Sequence, residues 1–333
     1  MSKGPVVVEV TRGPVVESRH EGIAAVVKAD GTVVDSWGDI DAAILPRSAN
    51  KPIQAMAFVE SGAVERFGLG NEHIALACAS HSGETRHVET VRAWLKKVGL
   101  SEADLECGAH APRLQTSIEA LAREGVLPTA AFNNCSGKHS GFLTTAVTYG
   151  EPTKGYIKYD HPVQQRLREV MSDLCGLDAN AFPHGTDGCG IPTLATPLKR
   201  LAQAMAAMAD PSRLSSKRAD AAQRIRAAMN AEPFMVAGSG RFCTRINEAA
   251  SGVIQVKTGA EGVFCGMLPT LGLGVAIKMW DGAGRASEIA MAALLHHLGV
   301  LPANQREEIL RPPIKNVVGL LVGEMRPAKS WLG

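Results

Sequence analysis

The apolar positions of this chain fall into short strand-like runs near its front and again towards its end, with helical spacing between them. Near the front, Ile23 to Val27 and Val33 to Trp37 flank Asp30-Gly31. That pair suits the positive φ angles of a type I′ turn, so residues 22–37 predict a β-hairpin. Pro46 closes the next segment, and a helix is expected from about Ala49. The ring of Pro52 would clash with the carbonyl four residues back unless it lay in the first turn. Gly62 is the expected stop. His73-Ile-Ala-Leu-Ala-Cys78 reads as a short buried strand, Ser80-His-Ser82-Gly as a loop, and 84–98 as a helix.

Further along, Leu198, Leu201, Met205 and Met208 are spaced as one core-facing stripe, and a second helix is expected over 219–229. These methionines are read as packing. From Gly252 the pattern turns to strands over 252–258, 262–267 and 271–280, with short Gly-containing links that predict an antiparallel meander. In the first of these, Ile254 and Val256 alternate with Gln255 and Lys257, so Lys257 should point away from the apolar face. A last helix is expected over 286–298, with Met291, Leu294, Leu295 and Leu298 as its stripe before Gly299. Strands at both ends with helices between them predict an α+β fold. Its antiparallel sheet is formed from both ends of the chain, with helices packed on it and a mostly helical region inserted. With no internal repeat and no flexible linker in view, residues 1–333 are read as a single catalytic domain with a helical subregion around 84–230.

Composition narrows the classes. Apolar residues make up 45% and charged residues 20% of 333, ordinary for a globular chain and against disorder. The net charge of +2 includes no dense basic block, which argues against nucleic acid. The N-terminal stretch lacks the apolar core of a secretory signal, and no window approaches eighteen uncharged apolar residues. A cytoplasmic protein with no membrane segment is expected. Seven cysteines without a Cys-x-x-Cys pair do not form a disulfide framework and are expected as reduced thiols.

Three separated motifs carry the candidate chemistry: Ser48-Ala-Asn-Lys51, Ser80-His-Ser82 and Lys257-Thr-Gly259. A serine hydroxyl is a poor nucleophile near neutrality unless a base takes its proton, and lysine can be that base. The spacing of Ser48 and Lys51 sets both on one face of a helical turn. Ser48 then sits at a helix N-terminus, whose partial positive charge favours developing negative charge. Ser-x-x-Lys alone arises by chance roughly once in a chain of this length. Followed by Lys-Thr-Gly on an expected strand, it repeats the order of the serine β-lactamase and penicillin-binding signature. Together the motifs point to an amide hydrolase.

A second constellation comprises Cys135-Ser-Gly-Lys138-His139-Ser-Gly141 and Asp187-Gly-Cys189-Gly190, two glycine-rich segments that each carry a soft ligand. Cys135 and Cys189 are candidate zinc thiolates, with Lys138 alongside as an unusual amine ligand. The plainer reading is that a free cysteine is more often a small buried hydrophobe, and it is adopted for Cys78, Cys107, Cys175, Cys243 and Cys265. His139 is equally readable as a structural histidine and Lys138 as a solvated one. Two thiolates are fewer than the four protein ligands usual at structural zinc.

These strings, from Pro46-Arg-Ser-Ala-Asn-Lys-Pro through Asn133-Asn-Cys-Ser-Gly-Lys-His-Ser-Gly and Asp187-Gly-Cys-Gly-Ile-Pro-Thr to Lys257-Thr-Gly, resemble the rhizobial-type L-asparaginases. This family, also called class 3, has a fold like that of serine β-lactamases and glutaminases, and the resemblance spans essentially the whole chain. It implies hydrolysis of L-asparagine to aspartate and ammonia by two Ser-Lys pairs, Ser48 with Lys51 and Ser80 with Lys257. It also implies zinc on Cys135, Lys138 and Cys189 with water completing the shell, and a homodimer. Arg47, His139 and Asp187 are candidates for binding the substrate's α-amino and α-carboxylate groups. Ser80-His-Ser82 stands where a β-lactamase would have Ser-Asp-Asn, so lactams are not the favoured substrate. The competing readings are another serine amidohydrolase of this fold (a glutaminase, peptidase or esterase) and a non-catalytic zinc-binding ligand sensor.

Overall fold

The computed structural model describes residues 4–303 and 306–332. Part of the N-terminal stretch read above, residues 1–3, lies outside the described residues. By contact the chain divides into two compact units. One comprises the chain up to Ala49, Thr196–Asp210 and the chain from Ala249 onward; the other comprises Asn50–Ala195 and Pro211–Glu248.

The first unit is built on an eight-stranded antiparallel sheet. Its strands are β1 (Val6–Arg12), β2 (Val15–Lys28), β3 (Val33–Trp37), β4 (Gln255–Thr258), β5 (Val263–Leu268), β6 (Leu273–Met279), β7 (Pro313–Lys315) and β8 (Leu321–Pro327). The order is β7-β8-β1-β2-β6-β5-β4, with β3 also paired to β2. Val8 opposes Pro327 across β1 and β8, and Val26 opposes Val275 across β2 and β6. The two ends of the chain therefore share one sheet, as expected. β5 is buried at every position and β6 at every position except Lys278. Such strands read as unbroken apolar runs because both of their faces are covered.

Helix Leu198–Ala209 packs on β2, β5 and β6, and helix Gly284–His297 packs on β1, β5, β6 and β8. Leu198, Leu201, Met205 and Met208 are all buried, so the expected stripe is the sheet-facing side. Truncating one of them to Ala would cost about 2–5 kcal/mol.

The front hairpin forms with a different turn from the one expected. Only Gly31 has a positive φ, at 88°, while Asp30 does not. Lys28 N donates to Thr32 O at 2.9 Å and Thr32 N to Asp30 Oδ1 at 2.9 Å. The connection is thus longer than a two-residue type I′ loop, and a register shift between Val26 and Val27 accommodates it. β1, β7 and β8 had no strong period in the sequence and complete the sheet by pairing.

The second unit is mostly helical. Helix Lys51–Glu60, preceded by a 3₁₀ turn over Arg47–Asn50, packs against helices Ser136–Tyr149, Pro162–Cys175 and Ser216–Ala231. Pro52 lies in its first turn, and Ser61 and Gly62 end it. Helix Thr85–Lys97 follows the expected range closely. The expected strand over 73–78 is corrected: it is helix Asn71–Ala77. A six-residue apolar run does not distinguish strand from helix. The His73 ring decides the matter by reaching back to accept from Gly70 N at 3.1 Å, which satisfies an amide at the helix start. Among the described residues all seven cysteines are buried and none forms a disulfide, and no helix is long and apolar enough to cross a membrane.

Candidate active site

Lys51 opens its helix with its side chain 1% exposed. Its Nζ donates to the Ala79 carbonyl at 2.5 Å, to Ser80 Oγ at 3.1 Å and to the Asn134 carbonyl at 3.4 Å. Ser48 is not among these partners. Ser80 follows directly from helix Asn71–Ala77, and its own amide donates to Val236 O at 3.0 Å. The lysine of the first motif therefore meets the serine of the second within one unit.

His81 holds this loop in place. Gly83 N donates to its Nδ1 at 3.1 Å, so the proton sits on Nε2, which donates to Ser136 Oγ at 2.9 Å. Ser136 Oγ in turn donates to Ala131 O at 2.9 Å. Burial, then the neighbouring His87 and the Lys51 charge, push the His81 pKa well below the usual range. Its ring stacks on His87, which stacks on Phe234. The Ser-His-Ser string drew attention to this loop, but the tautomer follows from backbone partners that no spacing rule shows.

Ser48 and Lys257 belong to the other unit. Ser48 is half-buried in the turn Arg47–Asn50, where Arg47 takes a positive φ of 51°. Lys257 opposes Cys265 across β4 and β5 and is buried, its Nζ donating to the Thr258 carbonyl at 2.6 Å. At Gly259 a Cβ would stand 2.9 Å from Pro46 O and 3.1 Å from Ala49 N. The end of the Lys-Thr-Gly motif thus packs directly on the Ser48 turn, and only glycine permits that approach.

The two cysteine-bearing segments come together within the helical unit. Cys135 caps helix Ser136–Tyr149, Lys138 lies within its first turn, and Lys138 Nζ is 3.0 Å from Cys189 Sγ. All three side chains are buried. A hydrogen bond from the Cys189 thiol, with help from the Lys51 and Lys138 charges, pulls the Cys135 pKa far down against its burial. The Cys189 pKa rises correspondingly, because its proton bonds to Cys135 and its burial disfavours charge. Burial opposes the Lys138 charge, but the two sulfurs and Asp187 outweigh it and raise its pKa. Among the described residues no group of three or more His, Cys, Asp or Glu side chains stands where it could hold a metal. The donors gathered here are two sulfurs and an amine.

His139 is fully buried beside this cluster. Glu106 N donates to the Tyr156 hydroxyl at 2.8 Å, and the hydroxyl donates to His139 Nδ1 at 2.7 Å. His139 Nε2–H is then a buried donor with no hydrogen-bond partner among the described residues. Burial first, then Lys138 and Lys51, keep this ring neutral by lowering its pKa well below the ordinary value. Asp187 is half-buried and caps its own turn through Gly188 N at 2.8 Å. Tyr156, which sets the His139 tautomer, had no motif to mark it. Gly137 fixes the spacing of the two clusters: a Cβ there would lie 2.3 Å from the Leu76 carbonyl, so helices Ser136–Tyr149 and Asn71–Ala77 touch backbone to backbone.

Residues 8–327 match the family model described as L-asparaginase II. Among curated proteins no sequence matches this chain. Among solved structures, native Mglu in 4.3 M NaCl is 15% identical with a TM-score of 0.50, over 90% of this chain and 65% of that one. A β-lactamase from Mycobacterium bovis is 14% identical with a TM-score of 0.42, over 83% of this chain and 94% of that one. A putative β-lactamase from Bacteroides dorei is 16% identical with a TM-score of 0.41, over 78% and 84%. Against the native form of Mglu, too, the chain spans 65% of the solved length. At such identities the Mglu likeness concerns the fold alone.

Proposed function

The chain belongs to the L-asparaginase II family, and from that premise we propose that it hydrolyses the side-chain amide of L-asparagine to aspartate and ammonia through a serine acyl-enzyme. The observation that carries this reading is the buried Lys51 amine 3.1 Å from Ser80 Oγ. Ser48 Oγ forms a bond to the amide carbon as its proton passes to Lys51, which the step requires in its neutral amine form. The C–N bond then breaks, and ammonia leaves with a proton relayed through Ser80. Water cleaves the acyl ester with the Ser80 and Lys257 pair assisting, and Ser48 is restored. Backbone N–H groups near the Ser48 turn can stabilise the oxyanion, by about 3 kcal/mol for each donor.

His139 Nε2–H suits a substrate α-carboxylate, Asp187 an α-ammonium, and Arg47 is a further carboxylate partner. Cys135, Lys138 and Cys189 fit zinc as a soft donor set, provided Cys189 and Lys138 give up their protons on loading. Bound there, zinc would supply Lewis-acid character and fix the two cysteine loops. The gathering of these three side chains supports the class 3 branch within the family. Free buried thiols fit a reducing cytoplasm. A second copy of the chain is the proposed protein partner, supported by the exposed Val317, Val318, Leu320 and Leu321 at the tip between β7 and β8.

The family match and the Lys51–Ser80 contact also fit a serine amidohydrolase with a neighbouring substrate such as glutamine. Ammonia release from asparagine and from glutamine, with nitrocefin hydrolysis alongside, separates the two. Asparagine should be turned over fastest, and Ser48→Ala should be inactive with its metal retained. Faster glutamine turnover moves the reading to a glutaminase. Bound zinc without any amide hydrolysis moves it to a ligand sensor.

A further inference from the structure

Beside the first motif, within the helical unit, lies a cavity of about 20 Å³ lined by Asn50, Gln54, Gln164, Arg168, Met171 and Leu194. No amino acid fits a space of that size. One water does, since about 10–15 Å³ is enough for it. Three lining side chains each carry a buried polar atom with no hydrogen-bond partner among the described residues: Asn50 Oδ1, Gln54 Oε1 and Arg168 Nε. The residues are 4%, 8% and 9% exposed, so solvent outside does not satisfy them.

Two of the three side chains are engaged through other atoms. Asn50 Nδ2 donates to Met171 Sδ at 3.8 Å, which fixes the amide orientation. Arg168 Nη1 donates to Gln165 Oε1 at 3.0 Å, and its guanidinium carbon lies 4.3 Å from the centroid of the Tyr159 ring. Gln54 stands one helical turn after Asn50, so both amides share a face. Two acceptors and one N–H donor are thus left facing one small space.

We propose that this cavity is a binding site for a single water molecule, which donates to Asn50 Oδ1 and Gln54 Oε1 and accepts from Arg168 Nε–H. Its hydrogen-bonding valence matches the site. An ammonium ion, the other small species formed by amide hydrolysis, has no acceptor for the Arg168 N–H and meets a fixed positive charge. Because Asn50 lies between Ser48 and Lys51, the water pins the start of helix Lys51–Glu60 to helix Pro162–Cys175. Gln54 and Arg168 are positioning residues for that motif, a role that rests on the Ser48 and Lys51 reading; the water site itself does not.

A high-resolution crystal structure of the full chain, native and Gln54→Met, tests this. The native protein should show one water within hydrogen-bond distance of all three atoms, and the variant should lack it. Ammonia release by the variant should show kcat reduced about tenfold with KM within about twofold of native. A dry cavity, or Gln54 paired directly to Arg168, overturns the water site. Loss of the water with kcat unchanged overturns the positioning role. If Gln54→Met does not fold, Arg168→Lys, which removes the Nε–H, takes its place. Turnover by Ser48→Ala would overturn the nucleophile assignment and leave the density result standing.

Discussion

Lys51 Nζ lies 3.1 Å from Ser80 Oγ, so the lysine of one motif is hydrogen-bonded to the serine of the other. That amine also holds the carbonyls of Ala79 and Asn134. Replacing Lys51 with Met should lower kcat by about 10³-fold or more, and Lys51→Arg should be nearly as damaging because guanidinium does not act as a base near neutrality. Ammonia release with circular dichroism on the same samples checks this. A folded Lys51→Arg protein at native rate would remove lysine from the mechanism.

Ser80→Ala keeps Lys51 bound to two carbonyls but deletes the hydroxyl in the proposed relay. We expect kcat reduced about 10²-fold with the fold intact, the usual scale for losing a proton-transfer partner. Lys257→Met should fall in the same range. Steady-state kinetics with asparagine decide it, and native values for either would confine the chemistry to the first pair.

Cys189→Ser and Lys138→Ala should each reduce bound zinc at least about tenfold, since each takes away one of three proposed protein ligands. Metal content by elemental analysis is the readout. A serine variant that loads zinc as fully as the native chain would refute the donor set.

The lowered pKa of buried His81 has a signed consequence. In the unfolded chain this histidine takes a proton near pH 6.5, while in the folded chain it stays neutral to much lower pH. The unfolded state therefore binds more protons below that point. Stability is fully present above pH 6.5 and falls on acidification towards the folded pKa, by about 1.4 kcal/mol per pH unit for each such histidine. His87, lowered chiefly by burial, adds to the slope. Urea unfolding between pH 7 and 5 should show this fall, and His81→Gln should flatten it by one histidine's share. Equal slopes in both proteins would contradict the neutral ring.

Val318→Asp and Leu320→Asp change exposed positions, so stability should move by no more than about 0.5 kcal/mol. If the tip is the interface between two copies, both variants should sediment as monomers where the native chain is a dimer. A native monomer, or variants that remain dimeric, would exclude that surface.

What the sequence carried well was whatever had a strong period or a long motif. The β4–β6 meander, the Leu198–Met208 stripe and the helix after Glu84 are all present, because burial of one face leaves its mark at each repeat. The apolar run at 73–78 was too short to show a period, and the His73 contact that makes it helical is a backbone cap. β1 and β8 pair across more than 300 residues of chain, a relation that local pattern does not encode. In the site, the residue types of both motifs were plain from their strings. The Lys51 partners, the His81 tautomer and the Tyr156 support of His139 depend on carbonyls and rings brought together by folding.

The bare contact between Gly137 and Leu76 makes the two clusters mechanically one object. A single methyl at 137 would act as a wedge, driving apart the helix that leads into Ser80 and the helix that carries Lys138. Neither cluster can be retuned there without moving its neighbour. Substitutions meant to adjust the sulfur site alone belong instead on the turn that carries Cys189, away from that fulcrum.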